Sequence, residues 1–273
     1  MNITSVTTVL FSPTGTSRKV AMAVADGCQY ESHVIDATYT LPSNLHFESD
    51  TLVIVAVPVY GGKVAPLALQ RLETMRGNKT PVVPIVVYGN RAYEDAANQL
   101  CEFVSSRGFV PVAVGAFVGE HSYSTAQYPI AVGRPDAADL NDARIWGKKI
   151  AAKLSSTTTL QAVDATRLKA PHNSLLSKLR FISFVMKQRR NQSGVKPHVV
   201  VDADKCRLCG KCAKLCPTGA IASGDYLHTD TARCIKCCAC VKSCPKKART
   251  LDTPYAPILS QCFAKRKTPT TIL

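Results

Sequence analysis

Apolar residues in the first 154 positions gather in short runs with little polar alternation. Runs at 4–11, 30–37, 51–57, 81–88 and 111–118, most of them rich in Val and Ile, predict strands. Their weak alternation is that of a parallel sheet covered on both faces. Between and after them the pattern takes a helical period at 17–26, 66–76, 93–106 and 136–154. Five strands interleaved with helices predict an α/β domain over 1–155, a doubly wound five-stranded parallel sheet. Ligands of such a sheet sit beyond the strand C-termini.

Residues 156–197 read as a linker, opening on a Ser/Thr run and closing at QSGVKP. Within it, 174–190 (SLLSKLRFISFVMKQRR) predicts a helix that is apolar on more than one side, with basic residues interspersed. Leu175, Leu179, Ile182 and Met186 form one stripe, and Phe181 and Phe184 fall away from it. Packing between domains is the simpler use of such a helix, and docking on an anionic membrane surface is the sharper one. Residues 198–273 form a further domain that ends in AKRKTPTTIL, a polar, basic tail expected to be mobile or partner-seeking.

Charge divides the chain. Residues 1–154 hold 13 basic and 13 acidic residues, which leaves 21 and 6 to the remainder and assigns it the whole net charge of +15. A basic half suits an acidic redox protein or an anionic membrane surface. Nucleic acid is not expected, because no reading motif or aromatic–basic stripe accompanies the charge. No apolar run is long enough to span a bilayer. The N-terminus MNITSVTTVLFSPTG lacks a basic region followed by an apolar one. Both observations predict a cytoplasmic chain, soluble or at most peripheral.

Eight of the twelve cysteines change the picture most. Cys206, Cys209, Cys212 and Cys216 precede Pro217, and Cys234, Cys237, Cys240 and Cys244 precede Pro245. Each set reads C-x2-C-x2-C-x3-C-P, and the second follows the first by 28 residues. Three closely spaced thiolates can wrap three corners of an iron–sulfur cubane, and the Cys-Pro cysteine of the other repeat supplies the fourth. This assigns one [4Fe–4S] cluster to Cys206, Cys209, Cys212 and Cys244, and the other to Cys234, Cys237, Cys240 and Cys216. Structural zinc would need only separated C-x2-C pairs, and a disulfide framework would suit a secreted chain. The segment 199–252 resembles the bacterial two-cluster ferredoxins. Cys238 falls outside the repeat register as a spare thiol, Cys28 and Cys101 read as small core residues, and Cys262 lies in the tail.

A second chemistry is written at the end of the first strand. Ser12, Thr14, Gly15, Thr16 and Ser17 lead directly into a helix and make a hydroxyl-rich cradle for a phosphate at its N-terminus. Neither a P-loop lysine nor G-x-G-x-x-G is present, which disfavours nucleoside triphosphates and Rossmann dinucleotides. The cradle is similar to the phosphate loop of flavodoxins, whose ligand is FMN. Pro58, Val59, Tyr60, Gly61 and Gly62 follow the third strand, and Tyr88, Gly89, Asn90, Arg91 and Tyr93 follow the fourth. Tyr60, Tyr93 and Tyr88 are candidate stacking faces for a flat flavin. Gly61 and Gly62 would let a peptide turn towards the flavin N5.

With both sets of residues placed, the chain resembles the flavodoxin–ferredoxin fusion proteins found mainly in anaerobic microbes. That resemblance implies a flavodoxin-like FMN domain followed by a small α+β domain with two [4Fe–4S] clusters. It also implies an electron carrier linking clusters, FMN and a redox partner. The alternative is a flavin-dependent reductase of a small acceptor or a protein-bound metal cofactor. The segment Gly119–Ser124 (GEHSYS) resembles a stretch after the fifth strand in those proteins, so Glu120 and His121 are expected beside the flavin or the domain junction. One departure stands out: Arg249 occupies the position of Ile221 in the repeat. It either removes a packing contact or adds a positive charge that raises a cluster's potential.

Overall fold

The computed structural model describes residues 1–40, 43–191 and 196–273. The chain begins β1 (Ser5–Leu10), α1 (Thr16–Cys28), β2 (Glu31–Asp36), β3 (His46–Phe47), β4 (Thr51–Tyr60), β5 (Lys63–Val64) and α2 (Pro66–Arg71). It continues through β6 (Arg76–Gly77), β7 (Thr80–Tyr88), α3 (Ala96–Ser105), β8 (Phe109–Pro111), β9 (Val114–Val118) and α4 (Ala137–Ser156). After these come α5 (Leu175–Arg190), β10 (His198–Val201), α6 (Lys211–Lys214), α7 (Ala239–Ser243), β11 (Arg249–Asp252), α8 (Tyr255–Cys262) and β12 (Thr270–Ile272).

Five strands pair in parallel in the order β2-β1-β4-β7-β9. This is the flavodoxin-like doubly wound order, with its switch point between β1 and β4. Register aligns Leu10 with Asp36 on one side and Ala56 on the other. Side chains alternate faces along a strand, and β4 buries both. Leu52, Ile54 and Ala56 join the core formed with Val20 and Val24 of α1 and Trp146 and Ile150 of α4. Val53, Val55 and Val57, between and beyond them, are equally inaccessible. That double burial explains the unbroken apolar run in the sequence.

Three elements depart from the pattern. The helix expected over 66–76 stops at Arg71, because tertiary backbone partners capture the residues beyond it. Arg76 N donates to Leu45 O (2.7 Å) and Gly77 N to Arg107 O (2.8 Å), and β6 pairs with β3. The strand expected over 111–118 is two strands, β8 and β9, which both pair with β7. The tail expected to be mobile is instead β12, antiparallel to β9 with Thr270 opposite Ala116.

Charges from distant parts of the chain hold that tail. Arg134 makes a bidentate pair with Asp139, and both side chains are almost wholly buried. The Arg134 guanidinium also donates to Lys267 O at 2.9 Å. Arg266 pairs with Asp136 at 2.6 Å. Asp136 and Asp139 also form the capping box that starts α4. The Arg266 guanidinium and the Asp139 backbone N–H hold the Asp136 carboxyl far below the usual carboxylate range.

The chain divides into two compact units. One comprises Met1–Glu120, Gly133–His172 and Arg266–Leu273, and the other His121–Val132 and Asn173–Lys265. Residues 266–273, expected with the last domain, therefore fold with the sheet, and 121–132 leave it. In the second unit β10 and β11 pair antiparallel, with His198 opposite Asp252. Helix α5 packs on α8 through Phe181 against Phe263 (5.4 Å between ring centroids) and Phe184 against Tyr255 (5.6 Å). The 192–195 part of the QSGVKP segment lies outside the described residues.

Removing one partner of a buried ion pair strands the other charge. Asp139→Ala is expected to destabilise the sheet-bearing unit by about 3–5 kcal/mol, measured by urea denaturation followed by circular dichroism. Arg266→Ala, whose side chain is half exposed, is expected to cost clearly less.

Candidate cluster and phosphate sites

The two cysteine repeats fold into crossed sets. Cys206, Cys209, Cys212 and Cys244 line one cavity, together with Pro245, Ala248 and Arg249. Cys216, Cys234, Cys237 and Cys240 line another, with Pro217, Ala220 and Ile221. Among the described residues no three His, Cys, Asp or Glu converge as a grip for a single metal ion; the cysteines ring these two spaces instead. The repeat also appears in the backbone, with left-handed residues recurring 28 positions apart. Leu208 and Lys236 have φ of 52° and 58°, Gly210 and Cys238 of 73° and 63°, and Gly219 and Lys247 of 61° and 50°. In both repeats a backbone N–H four residues on reaches the Cys-Pro sulfur: Ala220 N to Cys216 Sγ at 3.2 Å, Ala248 N to Cys244 Sγ at 3.3 Å.

The spare residues find places in the same frame. Cys238 stands where the first repeat has Gly210, as the left-handed residue that starts α7. It is buried, lines the second cavity, and its thiol is pushed up by burial. Burial also raises Cys237 to about 12. Cys240 is raised by burial and drawn back by the Arg249 guanidinium. Of the two outcomes expected for Arg249, the structure selects a buried charge. Its guanidinium donates to Thr229 Oγ1 (2.9 Å) and to Tyr226 O (2.5 Å), and it lines the first cavity as Ile221 lines the second. Cys28 and Cys101 are core residues whose thiols burial pushes up to about 12. Such thiols are unreactive.

The sheet edge assembles the other site. Ser12 N donates to Thr38 Oγ1 (2.8 Å), and Ser12 Oγ accepts from Arg18 N (3.0 Å). Helix α1 starts from Gly15 at φ 81° with no side-chain cap, and nothing lies within 4 Å of where a Cβ would project. Ser17 Oγ is buried without a hydrogen-bond partner. Ser12 thus takes one first-turn N–H, while the glycine at the N-cap, its open approach and the orphaned Ser17 hydroxyl together suit a phosphate. Gly119, at the end of β9, abuts the loop: a methyl there would meet Thr16 Cβ at 3.1 Å.

The neighbouring loops are braced from both sides. Gly61 and Gly62, both at positive φ, turn β4 into β5, with Tyr60 opposite Lys63. This is a two-residue hairpin of the kind that needs positive φ at both central positions. Pro58 and Val59, like Tyr60, are half-buried. Val64 N donates to Gln99 Oε1 at 2.8 Å, and Lys63 pairs with Asp95, which fastens the hairpin to α3. Tyr88 and Tyr93 are buried and meet edge-on at 5.4 Å. The Tyr93 hydroxyl donates to Lys169 O at 2.6 Å. Both rings are therefore engaged as packing residues, and of the three candidate faces only Tyr60 stays half-exposed. Gly89 and Arg91 are half-buried, and Asn90 is buried at φ 65°.

One contact at this edge had no signal in the sequence. The buried ammonium of Lys267 donates to the carbonyls of Asn90 and, at 2.8 Å, Arg91. A residue from the tail thus holds the loop after β7. Glu120 and His121 straddle the division between the units. The Glu120 carboxylate accepts from Gly133 N (3.0 Å), and His121 Nδ1 from Tyr123 N (3.0 Å).

Known proteins resemble the chain in parts. Residues 199–222 match the 4Fe-4S binding domain family. The fold is similar to a flavodoxin from the domain Archaea at 15% identity and a TM-score of 0.37, over 55% of this chain and 99% of that one. It is also similar to the two-electron reduced flavodoxin of Megasphaera elsdenii, at 14% identity and 0.36, over 54% and 98%. An NADH:FMN oxidoreductase in its apo form matches at 18% identity and 0.36, over 59% and 95%. No curated protein matches the sequence. The chain carries a flavodoxin-like domain and a 4Fe–4S ferredoxin-type region.

Three substitutions test the candidate sites. Cys240→Ala is expected to lose about half of the iron, whereas Cys238→Ser is expected to retain it, both read by iron and sulfide analysis of anaerobic protein. Ser17→Ala removes an unsatisfied buried hydroxyl. It should therefore leave the flavin-free protein as stable or more so, by up to about 1 kcal/mol, while weakening FMN binding in a fluorescence-quenching titration.

Proposed function

We propose that this chain is an electron-transfer protein. It would pass electrons between two [4Fe–4S] clusters and FMN, and on to an acidic redox partner. The observation that carries this reading is the crossing of the cysteine repeats: each of two cavities is lined by four repeat cysteines, three from one repeat and one from the other, with Cys238 as an additional thiol in the second. When bound, FMN exchanges electrons singly or in pairs and each cluster exchanges one.

The chain's own residues then divide the work. Cys206, Cys209, Cys212 and Cys244 would hold one cluster; Cys216, Cys234, Cys237 and Cys240 would hold the other. The N–H groups of Ala220 and Ala248 donate to ligand sulfurs, and such bonds help set a cluster's potential. The Arg249 guanidinium, buried at the rim of the first cavity, favours the more negative, reduced state. Ser12, Thr14, Gly15, Thr16 and Ser17 would seat the FMN phosphate, where the open end of α1 favours an anion. Tyr60, half-exposed, would offer its ring to the flavin, and the loop of Gly89, Asn90 and Arg91 would supply backbone groups beside it. Lys267 keeps that loop in one conformation by occupying two of its carbonyls.

Anaerobically purified protein should contain about eight iron atoms per FMN. Reductive titration should bleach both chromophores, and an oxidised acceptor protein should restore them. A colourless preparation, or one with iron and no flavin, would reject the reading.

A further inference from the structure

Helix α5 is built with two different faces, and only one is used within its unit. None of its residues is buried. Ser177, Phe181, Phe184, Val185 and Gln188 are half-buried and form the side that meets α8. Arg180 reaches across to Gln261 at 2.8 Å. The opposite side carries Leu175, Leu179, Ile182 and Met186, which are 71%, 56%, 52% and 50% exposed, with Leu176 beside them at 77%. The spacing 175, 179, 182, 186 draws one continuous stripe along the helix.

The charges around that stripe identify what covers it. At 100° per residue, Lys178 and Arg189 fall along one flank and Lys187 and Arg190 along the other, with Arg180 turned towards α8. The helix holds no acidic residue. A second copy would set these cations against its own, which is repulsive. A narrow convex apolar ridge with cations on both sides matches an anionic bilayer surface. The stripe enters the acyl boundary while the long basic side chains reach outward to the headgroups. At 16 residues the helix is too short to cross a bilayer, and none of the described helices is long and apolar enough to do so.

We propose that α5 seats this protein on anionic membrane surfaces, lying in the interface plane with Leu175, Leu179, Ile182 and Met186 inserted. The inference rests on α5 alone and holds whatever cofactors the chain carries. The test is flotation of the full-length, anaerobically purified protein with vesicles of phosphatidylcholine alone or mixed with phosphatidylglycerol. Binding is expected only to the mixed vesicles, weakening as salt rises. Lys187→Glu with Arg190→Glu should lower partitioning by about tenfold or more, and Leu179→Glu with Ile182→Glu should abolish it. All four positions are exposed, so iron content and visible spectrum should stay unchanged in both variants. In Ile182→Trp, emission should shift to the blue on adding mixed vesicles.

Three results would overturn the proposal: no flotation with mixed vesicles, flotation indifferent to both double variants, or salt-sensitive binding without the emission shift. Sedimentation of vesicle-free protein as a dimer that Leu179→Glu dissociates would assign the stripe to a second copy instead.

Discussion

Parallel pairing of strands buried on both faces is the constraint on which the sheet-bearing unit depends. Parallel neighbours need a crossover between them, so each connection returns along the sheet and the strand C-termini open at one edge. In this chain those ends are Leu10, Tyr60, Tyr88 and Val118. Ser12–Ser17, the Gly61–Gly62 hairpin, the Asn90 loop and Gly119 therefore gather without being near one another in sequence. The antiparallel β12 departs from this rule. It fills the outer edge beside β9; of its lead-in residues, Arg266 braces the start of α4 and Lys267 the loop after β7.

At the second cavity of the other unit, burial works against ionising two of the thiols that line it. Burial raises Cys237 and Cys240, so thiolates form there only with compensating positive charge, which iron supplies in a cluster. Crossing the repeats answers a geometric problem as well. Three cysteines in a tight loop could reach three corners of a cluster, and in the proposed assignment the fourth comes from the chain's second pass. The matched left-handed positions keep both loops in one conformation. Cys238 occupies one of them where glycine would be unstrained. Its burial against the second cavity accompanies that choice; the structure shows no further use for the thiol.

The basic excess of the C-terminal half resolves into several jobs. Arg249 puts a charge inside the protein beside the cysteines, held by carbonyl and hydroxyl oxygens. Arg266 and Lys267 spend theirs on the sheet-bearing unit. The α5 cations stay in solvent, flanking an apolar stripe. Composition alone presents these as one quantity, although a buried guanidinium, a tethered tail and an exposed helix differ widely in energy.

What the sequence determined was whatever is local in spacing. The short apolar runs and the helical periods between them located all five parallel strands and the main helices, because an apolar pattern must match the geometry of the element that buries it. The cysteine ruler marked the iron–sulfur segment, because ligand spacing along a loop is itself the chemistry. Ser12–Ser17 stood out because small hydroxyl residues before a helix suit a phosphate, and the strand-to-helix turn they need is the one β1 and α1 form. Tertiary structure alone decided the remainder. The helix expected over 66–76 ended at Arg71, and Arg76 went instead to a backbone partner at Leu45, with Gly77 beside it paired to Arg107. Tyr88 turned out to be a packing ring because β7 is buried along its whole length, and Tyr93 because it packs edge-on against Tyr88 and its hydroxyl bonds Lys169 O. The AKRKTPTTIL tail docked, with Thr270–Ile272 as a strand, because Asp136 and Asp139 meet the Arg266 guanidinium and Arg134 donates to Lys267 O, some 130 residues apart in sequence. A polar tail and a docked strand share one composition; what separates them is a set of distant groups that only folding brings within hydrogen-bonding reach.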